Sequence, residues 1–92
     1  MKKYFVYIMT NNSGTLYIGM TNDLRKRVGQ HKEMLSEGFT KRYKITKLIY
    51  FEEFDDVRYA IERETRLKTW SRKKKMDLIV TMNPNWEEID TV

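Results

Sequence analysis

The sequence predicts an α+β fold, a small antiparallel sheet covered by helices in the order β-β-α-β-α-α. Three observations carry that prediction. Two β-branched and aromatic runs, Tyr4 to Met9 and Thr15 to Met20, flank the turn signal Asn11-Asn12-Ser13-Gly14 and read as a hairpin. A third such run spans Leu48 to Phe54. Apolar residues then recur at helical spacing in three further segments.

Each element has its own signal. If Gly14 is the left-handed residue closing a three-residue loop, Asn11 pairs with Thr15, Tyr7 faces Gly19 and Met9 faces Tyr17. Alternation then places Tyr7, Met9, Tyr17 and Gly19 on one face, and Val6, Ile8, Leu16 and Ile18 on the other. Thr21 or Asn22 caps the first helix, with Asp23 in its first turn. Leu24, Val28, His31 and Leu35 follow at helical spacing, and Gly38 ends the pattern near residue 36. Residues 37–47 read as a basic, aromatic loop. Asp55 or Asp56 caps a second helix with Val57, Ala60, Ile61 and Leu67 on one stripe. Ser71 caps a third, running to Thr81 and carrying Met76, Ile79 and Val80. Trp70, between Leu67 and Met76, reads as a core anchor.

Composition narrows the function. A chain of 92 residues with 40% hydrophobic and 13% aromatic content is one folded domain, expected over residues 1–83 with a C-terminal tail over 84–92. No cysteine is present and His31 is the single histidine, which excludes a disulfide scaffold, a thiolate nucleophile and a histidine-based zinc centre. No apolar run approaches the roughly 18 residues that a membrane span needs. The N-terminus reaches polar Asn11-Asn12 before any signal-peptide core, so the expectation is a cytoplasmic protein. Lys and Arg number 18 against 13 Asp and Glu, a net charge of +5. That balance favours polyanionic partners, nucleic acid first and membrane phosphates second.

A few positions carry potential chemistry. Glu64 falls where the second helix's stripe predicts an apolar residue, and a carboxylate aimed there needs a cation or a metal. Arg27, Arg63 and Lys68 are its candidate ion-pair partners. Arg27 and His31 lie four apart on one helix face, where a guanidinium can clamp a phosphate. Tyr7 and Tyr17 taken singly are hairpin packing residues. Together, beside a glycine that leaves the backbone open, they can serve as a base if neighbouring cations lower a hydroxyl's pKa. Lys41, Arg42, Lys44 and Lys47 fill one loop, while Arg63, Arg66, Lys68, Arg72, Lys73, Lys74 and Lys75 surround the last helix junction. With Tyr43 and Trp70 interleaved, they resemble a surface that tracks a nucleic-acid backbone.

Phe5-Val6-Tyr7, Tyr17-Ile18-Gly19, Thr21, Leu24, Arg27 and His31 together resemble the paired motif of the GIY-YIG nuclease superfamily. Ala60, Arg63-Glu64, Leu67-Lys68, Trp70, Arg72 and then Asn83-Pro84 with Trp86 continue that pattern over almost the whole chain. The likeness is to the short, stand-alone bacterial members. It implies a three-stranded antiparallel sheet flanked by helices, and a metal-dependent endonuclease acting on nucleic acid, DNA ahead of RNA, in repair or recombination. It further implies that Glu64 holds one Mg²⁺ or Mn²⁺, that Tyr7 or Tyr17 helps deprotonate water, and that Arg27 stabilises the pentavalent phosphate. His31 would position water, phosphate or a tyrosine hydroxyl, with Gly19, Thr21 and Asn83 in support. Lys41, Arg42, Lys44, Arg63, Lys68, Arg72, Lys73 and Lys74 would hold the nucleic acid. Phe5 departs from the family pattern, whose first motif opens on glycine, and this alters local strand packing. Domains that choose a DNA site in larger relatives have no counterpart here, so sequence specificity is expected to be weak unless a protein partner supplies it. Two other readings stand beside this one: a non-catalytic nucleic-acid adaptor, and a protein-interaction domain that associates through an exposed sheet edge.

Overall fold

The turn between the first two strands sets the register of the sheet. In the computed structural model, which describes residues 2–33 and 38–90, β1 (Tyr4–Thr10) and β2 (Leu16–Thr21) form an antiparallel hairpin. Gly14 adopts φ +81°, and its N–H donates to the Asn11 carbonyl at 3.2 Å. The Asn11 side-chain oxygen accepts from the Ser13 and Thr15 amides at 3.0 and 2.9 Å, so one side chain closes the loop. Tyr7 therefore pairs with Gly19 and Met9 with Tyr17, the register expected of this loop. β3 (Lys47–Phe54) pairs antiparallel with β1, which makes the order β2-β1-β3 and leaves β2 at an edge.

The helices are α1 (Leu24–Lys32), α2 (Phe39–Arg42), α3 (Val57–Lys68) and α4 (Arg72–Met82). α1 is capped by Asp23, whose side chain accepts from the Lys26 amide at 3.1 Å, and not by Thr21 or Asn22. Thr21 instead accepts from the Asp23 amide at 3.1 Å, a hydroxyl turn that hands the cap position on to Asp23. Leu35 and the expected helix end near residue 36 lie outside the described residues. Asp56 and Ser71 cap α3 and α4.

The segment read as a loop over residues 37–47 contains α2. The rings of Phe39 and Tyr43, one turn apart, pack in a tilted arrangement with centroids 4.6 Å apart, and Thr40 turns inward and is buried. Asn11 Nδ2 donates to the Tyr43 carbonyl at 2.6 Å and ties this turn to the hairpin. Four residues are too few to show a hydrophobic period, so packing rather than propensity makes this helix.

Two cores form on the two faces of the sheet. One gathers Val6, Ile8, Ile18 and Ile49 against Ala60, Leu67 and Ile79. The other gathers Tyr7, Met9 and Leu48 with Leu24, Val28 and Ile45. Ile61, Met76 and Val80 were expected on inward stripes but are 48%, 39% and 43% exposed. α3 and α4 each meet the core along a narrow line, through Ala60 and Leu67 and through Ile79, which leaves their flanking apolar residues in solvent. Trp70 is half-buried against the first core.

Beyond α4 the chain folds back on β3. The Ile89 amide donates to the Leu48 carbonyl at 2.8 Å, and Asn83 Nδ2 donates to the carbonyls of Ile49 and Glu87 at 3.0 and 2.7 Å. Trp86 packs on the first core, Ile89 on the second, and Glu88 pairs with Lys32.

Candidate active site

The hairpin face chosen by the loop brings Tyr7, Tyr17 and Gly19 together, and the last turn of α1 adds His31. Tyr7 Oη stands 3.2 Å from His31 Nε2, both groups buried. The rings of Tyr7, Tyr17 and His31 form a triangle with centroids 5.6 to 6.2 Å apart. Gly19 makes this arrangement possible. A Cβ there would lie 2.5 Å from Tyr7 Oη and 3.0 Å from the Tyr17 ring, so the tyrosines occupy the space of a missing side chain.

Charge reaches this group from two helices. Burial is the main force that raises the Tyr7 pKa, followed by the neighbouring Tyr17 hydroxyl. The Arg27 guanidinium pulls it down and the Glu64 carboxylate pushes it up, which places both charges within electrostatic reach of one phenol. Arg27 is exposed on α1, at the rim of a 140 Å³ cavity shared with Thr21, Asp23 and Lys26. Glu64 lies on α3, which packs over β2 and β1. Its side chain is 22% exposed and Oε2 meets Lys68 Nζ at 3.3 Å, so of the candidate cations Lys68 is the one it pairs with.

His31 is held neutral. Burial lowers its pKa, and the like charge of Arg27 lowers it further. An unfolded histidine takes up its proton near pH ~6.5 and the folded one only at lower pH, so the unfolded chain binds more protons between those values. Stability should therefore fall as pH drops below about 6.5. Thermal melts between neutral and mildly acid pH would show the loss, and His31→Gln should flatten it.

The remaining expected residues separate into two groups. Lys41, Arg42 and Lys44 are exposed around α2, and Arg42 lies 5.6 Å from the Tyr43 ring centroid. Arg72 reaches the hairpin turn, where its Nη2 would be 3.2 Å from a Cβ on Gly14. Arg63 is engaged elsewhere: its guanidinium donates twice to Glu52 at 2.9 Å, and Tyr50 donates to the same carboxylate. Arg63 and Lys74 also flank the Trp70 ring at 5.2 and 4.7 Å, and Lys73 pairs with Asp77 at 3.1 Å. Asn83 braces backbone near β3 and, among the described residues, has no hydrogen bond to the tyrosine–histidine group.

Two further residues join the site: Phe39, which sequence reading passed over, and Lys75, which it placed only within the basic cluster. Phe39 stacks on Tyr17 at 6.4 Å, and Lys75 lines a groove of 240 Å³ with Leu16, Tyr17, Ile18, Phe39 and Lys68. The spacing of Phe39 and Tyr43, four apart, was the available signal for the first. Lys75 stood in a charge run with nothing to distinguish it from its neighbours.

The profile of the GIY-YIG catalytic domain matches residues 3–77. A UPF0213 protein of Staphylococcus saprophyticus is 38% identical over 79 residues, covering 86% of this chain and 96% of its own. One from Bacillus pumilus is 39% identical over 72 residues, covering 78% and 74% of the two chains. The solution structure of a UPF0213 protein from Bacillus halodurans superposes with a TM-score of 0.61 at 26% identity, covering 92% of this chain and 90% of that one. Among the described residues no helix is long and apolar enough to cross a membrane. The hairpin that pairs Tyr7 with Gly19, the sheet order and these matches agree: the chain belongs to the GIY-YIG catalytic-domain family, a family of nucleases.

Proposed function

We propose that this protein is an endonuclease that hydrolyses phosphodiester bonds in DNA with one divalent ion, Mg²⁺ or Mn²⁺, held through Glu64. The observation that carries the reading is the packing of Tyr7, Tyr17 and His31 around Gly19, with the Tyr7 hydroxyl 3.2 Å from His31 Nε2 and the charges of Arg27 and Glu64 felt at that phenol. The donor set fits such an ion. Among the described residues no three His, Cys, Asp or Glu side chains gather into a metal cage. A lone carboxylate suits magnesium or manganese, which keep several waters and complete their shell with substrate phosphate. When bound, the ion supplies charge neutralisation at the phosphate and acidifies water.

The chain's own groups supply the rest. Arg27 is exposed and planar, suited to bind two non-bridging phosphate oxygens and to offset the charge that grows on them. Tyr7 is protonated at rest because burial raises its pKa. With His31 Nε2 unprotonated, Tyr7 can pass its proton there while taking one from the attacking water. The phenol becomes easier to ionise with a divalent ion held at Glu64, which acts in the same direction as Arg27 and against the negative charge of the phosphate itself.

Purified protein incubated with plasmid, single-stranded and forked DNA should cleave at least one of them in Mg²⁺ or Mn²⁺ and stop in chelator. Arg27→Ala should lower the rate on the order of 10²-fold. Preference for the forked substrate would place the activity in repair or recombination. Steeply salt-dependent binding with no cleavage would replace this reading by the adaptor.

A further inference from the structure

Glu64 is already occupied. Its Oε2 lies 3.3 Å from the Lys68 ammonium one turn along α3. The same lysine lines the groove of 240 Å³ beside Tyr17, where Phe39 forms part of the wall and Lys75 adds a second cation. Lys68 thus faces two anion sites: the carboxylate behind it and the space a phosphodiester would fill. An ammonium and a divalent ion compete for the same carboxylate lone pairs, and each repels the other at that range.

We propose that Lys68 couples nucleic-acid binding to metal loading. In the free protein it holds Glu64; a phosphate entering the groove draws the ammonium away and leaves the carboxylate open to the divalent ion. This inference rests on the reading of Glu64 as the metal-binding residue. The exchange is easy on both sides. The Lys68 side chain is 54% exposed, and exposed pairs spaced four apart on a helix are weak. Its four-carbon stem lets the ammonium swing without moving the helix. A phosphate flanked by Lys68 and Lys75 gains the free energy of released counterions, which exceeds what the pair loses. Lys68 is in this sense a positioning residue, acting through Glu64.

Manganese binding measured by electron paramagnetic resonance separates the possibilities without relying on turnover. Without nucleic acid, Lys68→Met should bind Mn²⁺ about threefold more tightly than the wild type, and Lys68→Arg should stay at the wild-type value. Methionine and lysine have similar helix propensity, so far-UV circular dichroism should be unchanged. In an Arg27→Ala background, which slows cleavage, a short DNA oligonucleotide should raise Mn²⁺ affinity by a larger factor when Lys68 is present than in Lys68→Met. Linkage requires Mn²⁺ to raise DNA affinity by the same factor. Equal Mn²⁺ affinities for wild type and Lys68→Met, or an equal gain on adding DNA, overturn the coupling. If Glu64→Gln still weakens Mn²⁺ binding in that case, the metal site survives and only the coupling falls. If Glu64→Gln binds Mn²⁺ as well as the wild type, the reading of Glu64 falls and the coupling with it.

Discussion

Glu64→Gln should abolish metal-dependent cleavage while the protein stays folded and keeps most of its affinity for DNA. Glutamine has the size of glutamate but no charge to balance a dication. Loss of the metal removes both the activation of water and the neutralisation at phosphate, so a rate loss on the order of 10³-fold is expected. Stability should move by less than about 1 kcal/mol, since the ion pair lost is with a lysine whose side chain is 54% exposed. Single-turnover cleavage at saturating protein, with a thermal melt on the same sample, measures both. A residual rate within about tenfold of wild type would take Glu64 out of the site.

Gly19→Ala should be nearly as damaging to activity, and it should also weaken the fold. A methyl group there would meet Tyr7 Oη at 2.5 Å, Tyr7 Cζ at 2.6 Å and Tyr17 Cε2 at 3.0 Å. Replacing a strand glycine by alanine ordinarily helps by roughly 0.5–1 kcal/mol, through a smaller loss of chain entropy. The overlap outweighs that gain. Tyr7 is 2% exposed and bound to His31, so its ring cannot step aside without breaking that bond and disturbing the packing around Met9, Leu24 and Val28. A net loss of about 1–3 kcal/mol is expected, the usual result of overpacking a well-filled site. Cleavage should fall on the order of 10²-fold, because a hydroxyl displaced by an ångström no longer serves the attacking water. Denaturant titration and a cleavage assay check the two effects. A variant with wild-type stability and rate would mean that the tyrosine triangle is free to shift, and that its geometry is not what positions the proton transfer.

The parts of the site that rest on the hairpin were legible, and the reason is local. A three-residue loop ending in glycine has one register, and strand alternation then assigns every side chain to a face. Tyr7, Tyr17 and Gly19 could be placed together from that alone. What comes from tertiary contact could not be read. α2 is one turn long and depends on Phe39 meeting Tyr17 and on Asn11 holding Tyr43. The cap of α1 fell to Asp23 because Thr21 was spent on the turn before it, a choice among adjacent candidates that depends on backbone geometry. Arg63 and Lys68 carry the same charge five residues apart on one helix. One meets Glu52 on β3 and the other Glu64, and nothing in a linear charge pattern separates them. The apolar stripe erred at Ile61, Met76 and Val80 for a related reason: a small sheet offers each helix a narrow seat, and periodicity does not report its width.

The return of the chain after α4 has a further consequence. β3 is an edge strand, and edge strands with free backbone groups are where sheets recruit other chains into intermolecular pairing. The Ile89 amide already uses the Leu48 carbonyl. The residues after Pro84 therefore act as a guard against self-assembly along that side. Shortening the protein to residues 1–83 would expose that edge at the same time as it stripped Trp86 and Ile89 from the two cores. The first symptom of such a truncation should be concentration-dependent aggregation, visible in light scattering before any loss of secondary structure.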